Sequence, residues 1–128
     1  MKHSTFKTRT AIISFEKPDY IKVKILSGSI IDEEDALDNF LVIKNLSGGQ
    51  KKLKLIDLRG KWEFTSKGKK ATGKSTSAKT TIARAYIIDS FLTKLRMKFL
   101  VSAGEPKVPQ MFFTDEKEAV SWLMTFKS

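Results

Sequence analysis

Residues 20–26 (YIKVKIL) alternate cleanly: Ile21, Val23 and Ile25 point one way, Lys22 and Lys24 the other. That period of two is expected of a strand with one wet face. Upstream, residues 6–16 (FKTRTAIISFE) place Ala11, Ile13 and Phe15 on one side of an extended chain. Between the runs, Lys17, Pro18 and Asp19 signal a turn, because Pro presets φ and Asp bonds its own backbone. The two runs predict a β-hairpin.

Ser27 and Gly28 close the second strand, and a helix is expected from about Asp32. Its acidic start, residues 32–35, places negative charge at the positive end of the helix dipole. Leu37, Phe40, Leu41 and Lys44 then recur at helical spacing, with Leu46 near the end and Gly48-Gly49 as the stop. Residues 53–58 (LKLIDL) predict a central strand, and the polar stretch 61–80 a helix at about 66–78. Residues 81–88 (TIARAYII) predict another strand, whose small Ala83 and Ala85 let a helix approach closely. Asp89 and Ser90 open a helix with Leu92, Leu95 and Phe99 on one face. Gly104, Pro106 and Pro109 punctuate before a short strand at 110–113. The last helix has Thr114 as its expected N-cap, Asp115 and Glu116 in its first turn, and a stripe of Ala119, Trp122, Leu123 and Phe126.

The order β-β-α-β-α-β-α-β-α implies crossover connections. It predicts an α/β fold: a single domain, 1–128, built on a mixed, mostly parallel five-stranded sheet with helices packed on it. A length of 128 residues suits one core, and 41% apolar residues support a packed globule. The absence of Cys excludes disulfide scaffolds, thiolate zinc sites and cysteine nucleophiles, and the lone His3 leaves almost no room for a Ser/His/Asp triad or a histidine-rich metal site. The apolar run after the basic first ten residues is too short for a signal peptide, and no stretch approaches the roughly 20 apolar residues that span a bilayer. A soluble, cytoplasmic protein is the expectation.

Charge changes the picture more. Lys51 to Arg84 holds 11 basic and two acidic residues, nearly all of the chain's net +10. Such clustering attracts phosphates, nucleic acid or an acidic protein surface. For nucleic acid the interleaved aromatics are few, only Trp62, Phe64 and Tyr86, so direct nucleic-acid binding is not expected.

Residues 68–75 (GKKATGKS) satisfy the phosphate-loop pattern, and Asp89 after an apolar run imitates its magnesium-holding partner. That chemistry needs a strand feeding the loop and a helix leaving it. Here about ten residues separate Gly68 from the nearest strand, so the nucleotide-hydrolysing reading ranks low. Asp57, near the end of a central strand, faces either a ligand crevice or its own neighbour Arg59. The basic, apolar helix over 90–102 suits either core packing or an anionic membrane surface.

Two stretches carry a family likeness. Residues 55–60 (LIDLRG) resemble the central-strand signature of STAS-type, SpoIIAA-like domains. Residues 108–123 (VPQMFFTDEKEAVSWL) resemble the closing motif of bacterial STAS/SEC14-like proteins, a strand ending in Phe-Thr-Asp before a helix ending in Trp-Leu. The resemblance implies a SpoIIAA-like fold and a non-enzymatic regulatory module that binds partner proteins such as anti-sigma factors, some relatives binding nucleotides or lipids. It implies no cofactor. The family's phosphorylated turn aligns with residues 64–68, where Thr65 replaces the Asp and Lys67 the acceptor, leaving Thr65 and Ser66 as the hydroxyls. The expected site is Asp57 and Arg59 with Thr65, Ser66, Lys67, Lys69, Lys70 and Lys74, a basic surface for an acidic protein partner or phosphate-bearing ligand. A SEC14-like apolar or lipid ligand is the alternative, and the oligomeric state, homodimer included, stays open.

Overall fold

Thr8 turns the chain back on itself. Its hydroxyl oxygen accepts from the N–H groups of Thr10 (3.3 Å) and Ala11 (3.0 Å). The stretch expected as one strand over 6–16 is therefore two, β1 (Thr5–Lys7) and β2 (Ala11–Glu16), paired antiparallel. The computed structural model describes residues 5–17, 19–75, 79–89 and 108–127. The chain continues through β3 (Tyr20–Ile25), β4 (Ser29–Ile31), α1 (Glu33–Ser47), β5 (Lys52–Asp57) and β6 (Trp62–Phe64). Then come α2 (Ser66–Ser75), β7 (Thr81–Ile87), β8 (Gln110–Phe113) and α3 (Glu116–Met124). The helix expected over 90–102 lies outside the described residues.

Among the described residues the main sheet has six strands in the order β1-β2-β3-β5-β7-β8, one more than expected because of the Thr8 turn. The first two pairings are antiparallel and the remaining three parallel. β4 and β6, not foreseen in the sequence, form a small parallel sheet of their own. Three residues per strand are too few for hydrophobic periodicity to register. Because the order of the described strands advances in one direction only, they show no switch point of the kind at which open α/β sheets form their ligand crevice.

The period of two in β3, β5 and β7 divides the core between the sheet's faces. One face joins Ala11, Ile13, Ile21, Val23, Ile25, Ile56 and Tyr86 to Ala36 and Ile43 of α1 and Ala71 of α2. The other joins Tyr20, Leu53, Leu55, Ala83, Ala85 and Ile87 to Ala119 and Leu123 of α3. The two strand alanines give α3 its close seat, as expected. Trp122 and Phe126 are half-buried against that seat.

Two helix expectations need correction. The N-cap of α3 is Asp115, whose carboxylate accepts from Glu118 N–H, and Thr114 precedes it. More substantially, α1 is rotated from the stripe its apolar residues suggest: Leu37 and Leu41 are exposed, and Asp35, Ala36, Asn39, Ile43 and Ser47 face inward. Polar pairing sets that rotation. Arg9 holds both carboxylate oxygens of Asp35, and Asn39 bonds Thr8 (2.6 Å) and Thr10 (3.2 Å) of the β1–β2 turn. Asp32 caps the helix in a capping box with Asp35, and Gly48 ends it at φ 61°, a left-handed conformation that glycine adopts without strain.

Candidate functional site

A short run of small and basic residues makes the second helix. Thr65 caps α2, its hydroxyl oxygen accepting from Gly68 N–H at 3.0 Å. Inward, α2 presents Gly68 and Ala71; outward, Ser66, Lys67, Lys69 and Lys70. Gly68 is required by contact: a Cβ there would lie 2.8 Å from the carbonyl carbon of Ile31 and 3.1 Å from Cα of Asp32. The small face lets the helix sit against β4 and α1, and it fixes the direction of the lysines. None of Lys67, Lys69 and Lys70 forms an ion pair with a described carboxylate. Lys74 belongs to the last turn of α2, and its side chain lies outside the described residues.

The same geometry removes the phosphate loop. Residues 68–75 are helical throughout, and Asp89 accepts from Gly60 N–H at 2.9 Å. The end of α2 is also already occupied by a carboxylate: Thr65 donates its hydroxyl to Asp32 Oδ1 at 2.7 Å. That bond, then the Glu33 N–H, holds the Asp32 carboxyl below the usual carboxylate range.

Asp57 and Arg59 form a separate group. Asp57 is 1% exposed at the end of β5, and Arg59 grips it with Nε to Oδ1 (3.0 Å) and Nη2 to Oδ2 (2.7 Å), with its backbone N–H adding a bond at 3.1 Å. Lys24, its register partner on β3, stands 3.5 Å away. Burial pushes the Asp57 carboxyl up, but the Arg59 hydrogen bonds and the Lys24 and Arg59 charges outweigh it and hold the carboxyl below its ordinary value. Arg59 also reaches Glu116 (3.5 Å), which pairs with Lys22 (2.9 Å). The pair is thus a tie between β3, β5 and the start of α3. Glu116 and the two lysines were missed as members, since only the β3–β5 register and the seating of α3 bring them together.

The basic segment does not form one surface. Lys54 (1% exposed) and Arg84 (0%) are register partners inside the sheet, and Lys52 pairs with Asp19 and lies over the Phe15 ring. Burial, then the Arg84 charge, pushes the Lys54 ammonium down to about 7. Lys54 donates to the hydroxyls of Thr80 and Thr81, both at 3.0 Å. Of the three aromatics in the segment, Trp62 and Tyr86 are buried and Phe64 packs against the core, so none presents a face for base stacking.

A parallel sheet continued from an antiparallel hairpin, with α1 and α2 on one face and α3 on the other among the described helices, is a SpoIIAA-like architecture. The structure superposes on the crystal structure of an uncharacterized DUF3478-family protein with a SpoIIAA-like fold from Shewanella loihica PV-4, with a TM-score of 0.66. The two share 17% identity over 96% of each chain, a likeness of fold alone. Residues 17–127 match the family described as a domain of unknown function, DUF7793, and the chain belongs to it. No curated protein matches. No helix among the described residues is long and apolar enough to cross a membrane.

Proposed function

We propose that this chain is a non-catalytic binding module of STAS-like regulatory type, and that the outer face of α2 docks an acidic protein partner. The observation that carries the reading is the set Lys67, Lys69 and Lys70, exposed on a helix whose opposite face is seated on backbone, with no described carboxylate within ion-pair distance and only Lys67 feeling the Asp32 charge from farther off. A rigid helix loses little entropy when its lysines meet carboxylates, and the unpaired charge steers the encounter. A phosphate-bearing ligand at the helix end is less well supported, because Asp32 stands 2.7 Å from the Thr65 hydroxyl and would repel it.

The test is an amide NMR titration with a glutamate-rich peptide, with inorganic phosphate in parallel. The reading expects peptide-induced shifts concentrated at residues 66–70 and abolished by the Lys67→Glu/Lys69→Glu/Lys70→Glu variant. Shifts spread evenly over every lysine, or surviving the reversal, would remove it. Stronger shifts with phosphate than with peptide would favour the phosphate-bearing ligand instead.

A further inference from the structure

We infer that a second site, independent of the α2 face, binds a small monocarboxylate carrying an apolar arm. A cavity of about 250 Å³ opens between the C-terminal half of α1 and the start of β7, lined by Phe40, Ile43, Lys44, Ser47, Lys79 and Thr80 among others. That volume is below the roughly 300–1,000 Å³ of sites for drug-sized ligands. A two-chain lipid does not fit; a short chain does.

The lining assigns the two ends of the ligand. Ile43 is buried and Phe40 half-buried, and they make the apolar wall. Lys44 and Lys79 are exposed at the cavity, and neither has an ion pair among the described residues. That sets them apart from Lys22, Lys24 and Lys52, each of which meets a carboxylate. Behind the wall Lys54 donates to Thr80 Oγ1 at 3.0 Å, which brings a third basic group to the same end of the sheet. The negative pole of α1 opposes an anion here, but three of the carbonyls in its last turns have donors from outside the helical ladder. Ser47 Oγ donates to Ile43 O (2.7 Å), Gly48 N–H to Asn45 O (3.3 Å) and Gln50 N–H to Ser47 O (3.1 Å). A carboxylate held by Lys44 and Lys79, with its alkyl arm against Ile43 and Phe40, satisfies both halves of the cavity.

Octanoate is the probe, with octanol and acetate as the tail-only and head-only controls, read by amide NMR and calorimetry. Octanoate is expected to bind saturably, with shifts centred on Ile43, Lys79 and Thr80. Its affinity is expected to exceed that of either control by at least about tenfold, in line with charge-assisted hydrogen bonds added to apolar burial. The Lys44→Gln/Lys79→Gln variant, changed only on the surface, is expected to keep its melting temperature and lose about tenfold in affinity. No saturable binding, octanol binding as tightly as octanoate, or full binding by the double variant would each overturn the site. The α2 charge-reversal variant is expected to bind octanoate unchanged; a parallel loss there would merge the two sites and overturn their independence.

Discussion

Gly68 of α2 rests on the carbonyl of Ile31, so near that a Cβ would stand 2.8 Å from the carbonyl carbon and closer still to the oxygen. The obstacle is backbone and cannot swing aside. Gly68→Ala should therefore destabilise the protein by about 2 kcal/mol, an overpacking cost of roughly 1–3 kcal/mol that exceeds the helix-propensity gain of up to ~1. Gly73, in the same helix with nothing within 4 Å, is the control. Gly73→Ala should stabilise by about 0.5–1 kcal/mol. Urea unfolding decides: equal effects of the two changes would contradict the seating of α2.

Arg59→Gln tests the tie at the end of β5. It leaves the buried Asp57 carboxylate with Lys24 at 3.5 Å as its main counter-charge. Arg59 is itself 41% exposed, so solvent screening limits the loss to about 1–2 kcal/mol at neutral pH. Because the folded carboxyl titrates below its unfolded value near 4, its stabilisation is present above about pH 4 and is lost as pH falls through the folded value. Asp32 and Asp35 are held down likewise and act in the same window. The variant should therefore show a shallower acid-side loss, not a flat one. An acid-side slope equal to that of the unchanged protein would count against the pair.

The longer strands and the two ends of α1 were readable in this sequence because each is written in neighbouring residues, whereas the three-residue strands β4 and β6 and the Thr8 turn were not. The alternation of 20–26 marks β3, Asp32 and Gly48 bracket α1, and Ala83 and Ala85 announce a close helix. The rotation of α1 was unreadable, since hydrophobicity favours Leu37 and Leu41 while Asp35 and Asn39 are drawn inward by Arg9, Thr8 and Thr10, 26 to 31 positions away in sequence. The lysines of α2 were visible from composition, but their shared direction was not. It is set by Gly68 and Ala71, which carry no hydrophobic signal strong enough to define a face. Lys54 and Arg84 counted as surface charge in the sequence for the same reason: only the pairing of β5 with β7 takes them inside.

Thr65 and Ser66 are neighbours with opposite tolerance for negative charge. Thr65 is committed on both sides, donating to Asp32 and accepting from Gly68 N–H. Thr65→Glu removes a cap worth about 1 kcal/mol and sets a second carboxylate beside Asp32, so it should destabilise by at least that amount. Ser66 is exposed at the first position of α2, a helix with no acidic residue in its first turn. Ser66→Glu should stabilise by about 0.3–1 kcal/mol at low ionic strength, fading with added salt. If this turn carries a phosphate, Ser66 is where the fold accommodates it. Urea midpoints in the reverse order would exclude that assignment.

Lys54 gives the protein an alkaline signature. Its ammonium is pushed down to about 7 by burial and then by Arg84, against roughly 10.4 in an unfolded chain. Between those values the unfolded state binds more protons than the folded one, so this group makes stability rise with pH from about 7 to about 10. Below about 7 the folded protein must hold the charged form inside the sheet, and the penalty is felt in full. Lys54→Met keeps the volume and removes the charge, at the loss of bonds to Thr80 and Thr81, whose hydroxyl oxygens already lie 3.4 Å apart. The variant should be more stable than the parent by about 1–2 kcal/mol near pH 6, with the advantage shrinking toward pH 10. Urea unfolding across that range is the measurement. Parallel curves for the two proteins would mean that the Lys54 ammonium is as well accommodated inside the sheet as in water.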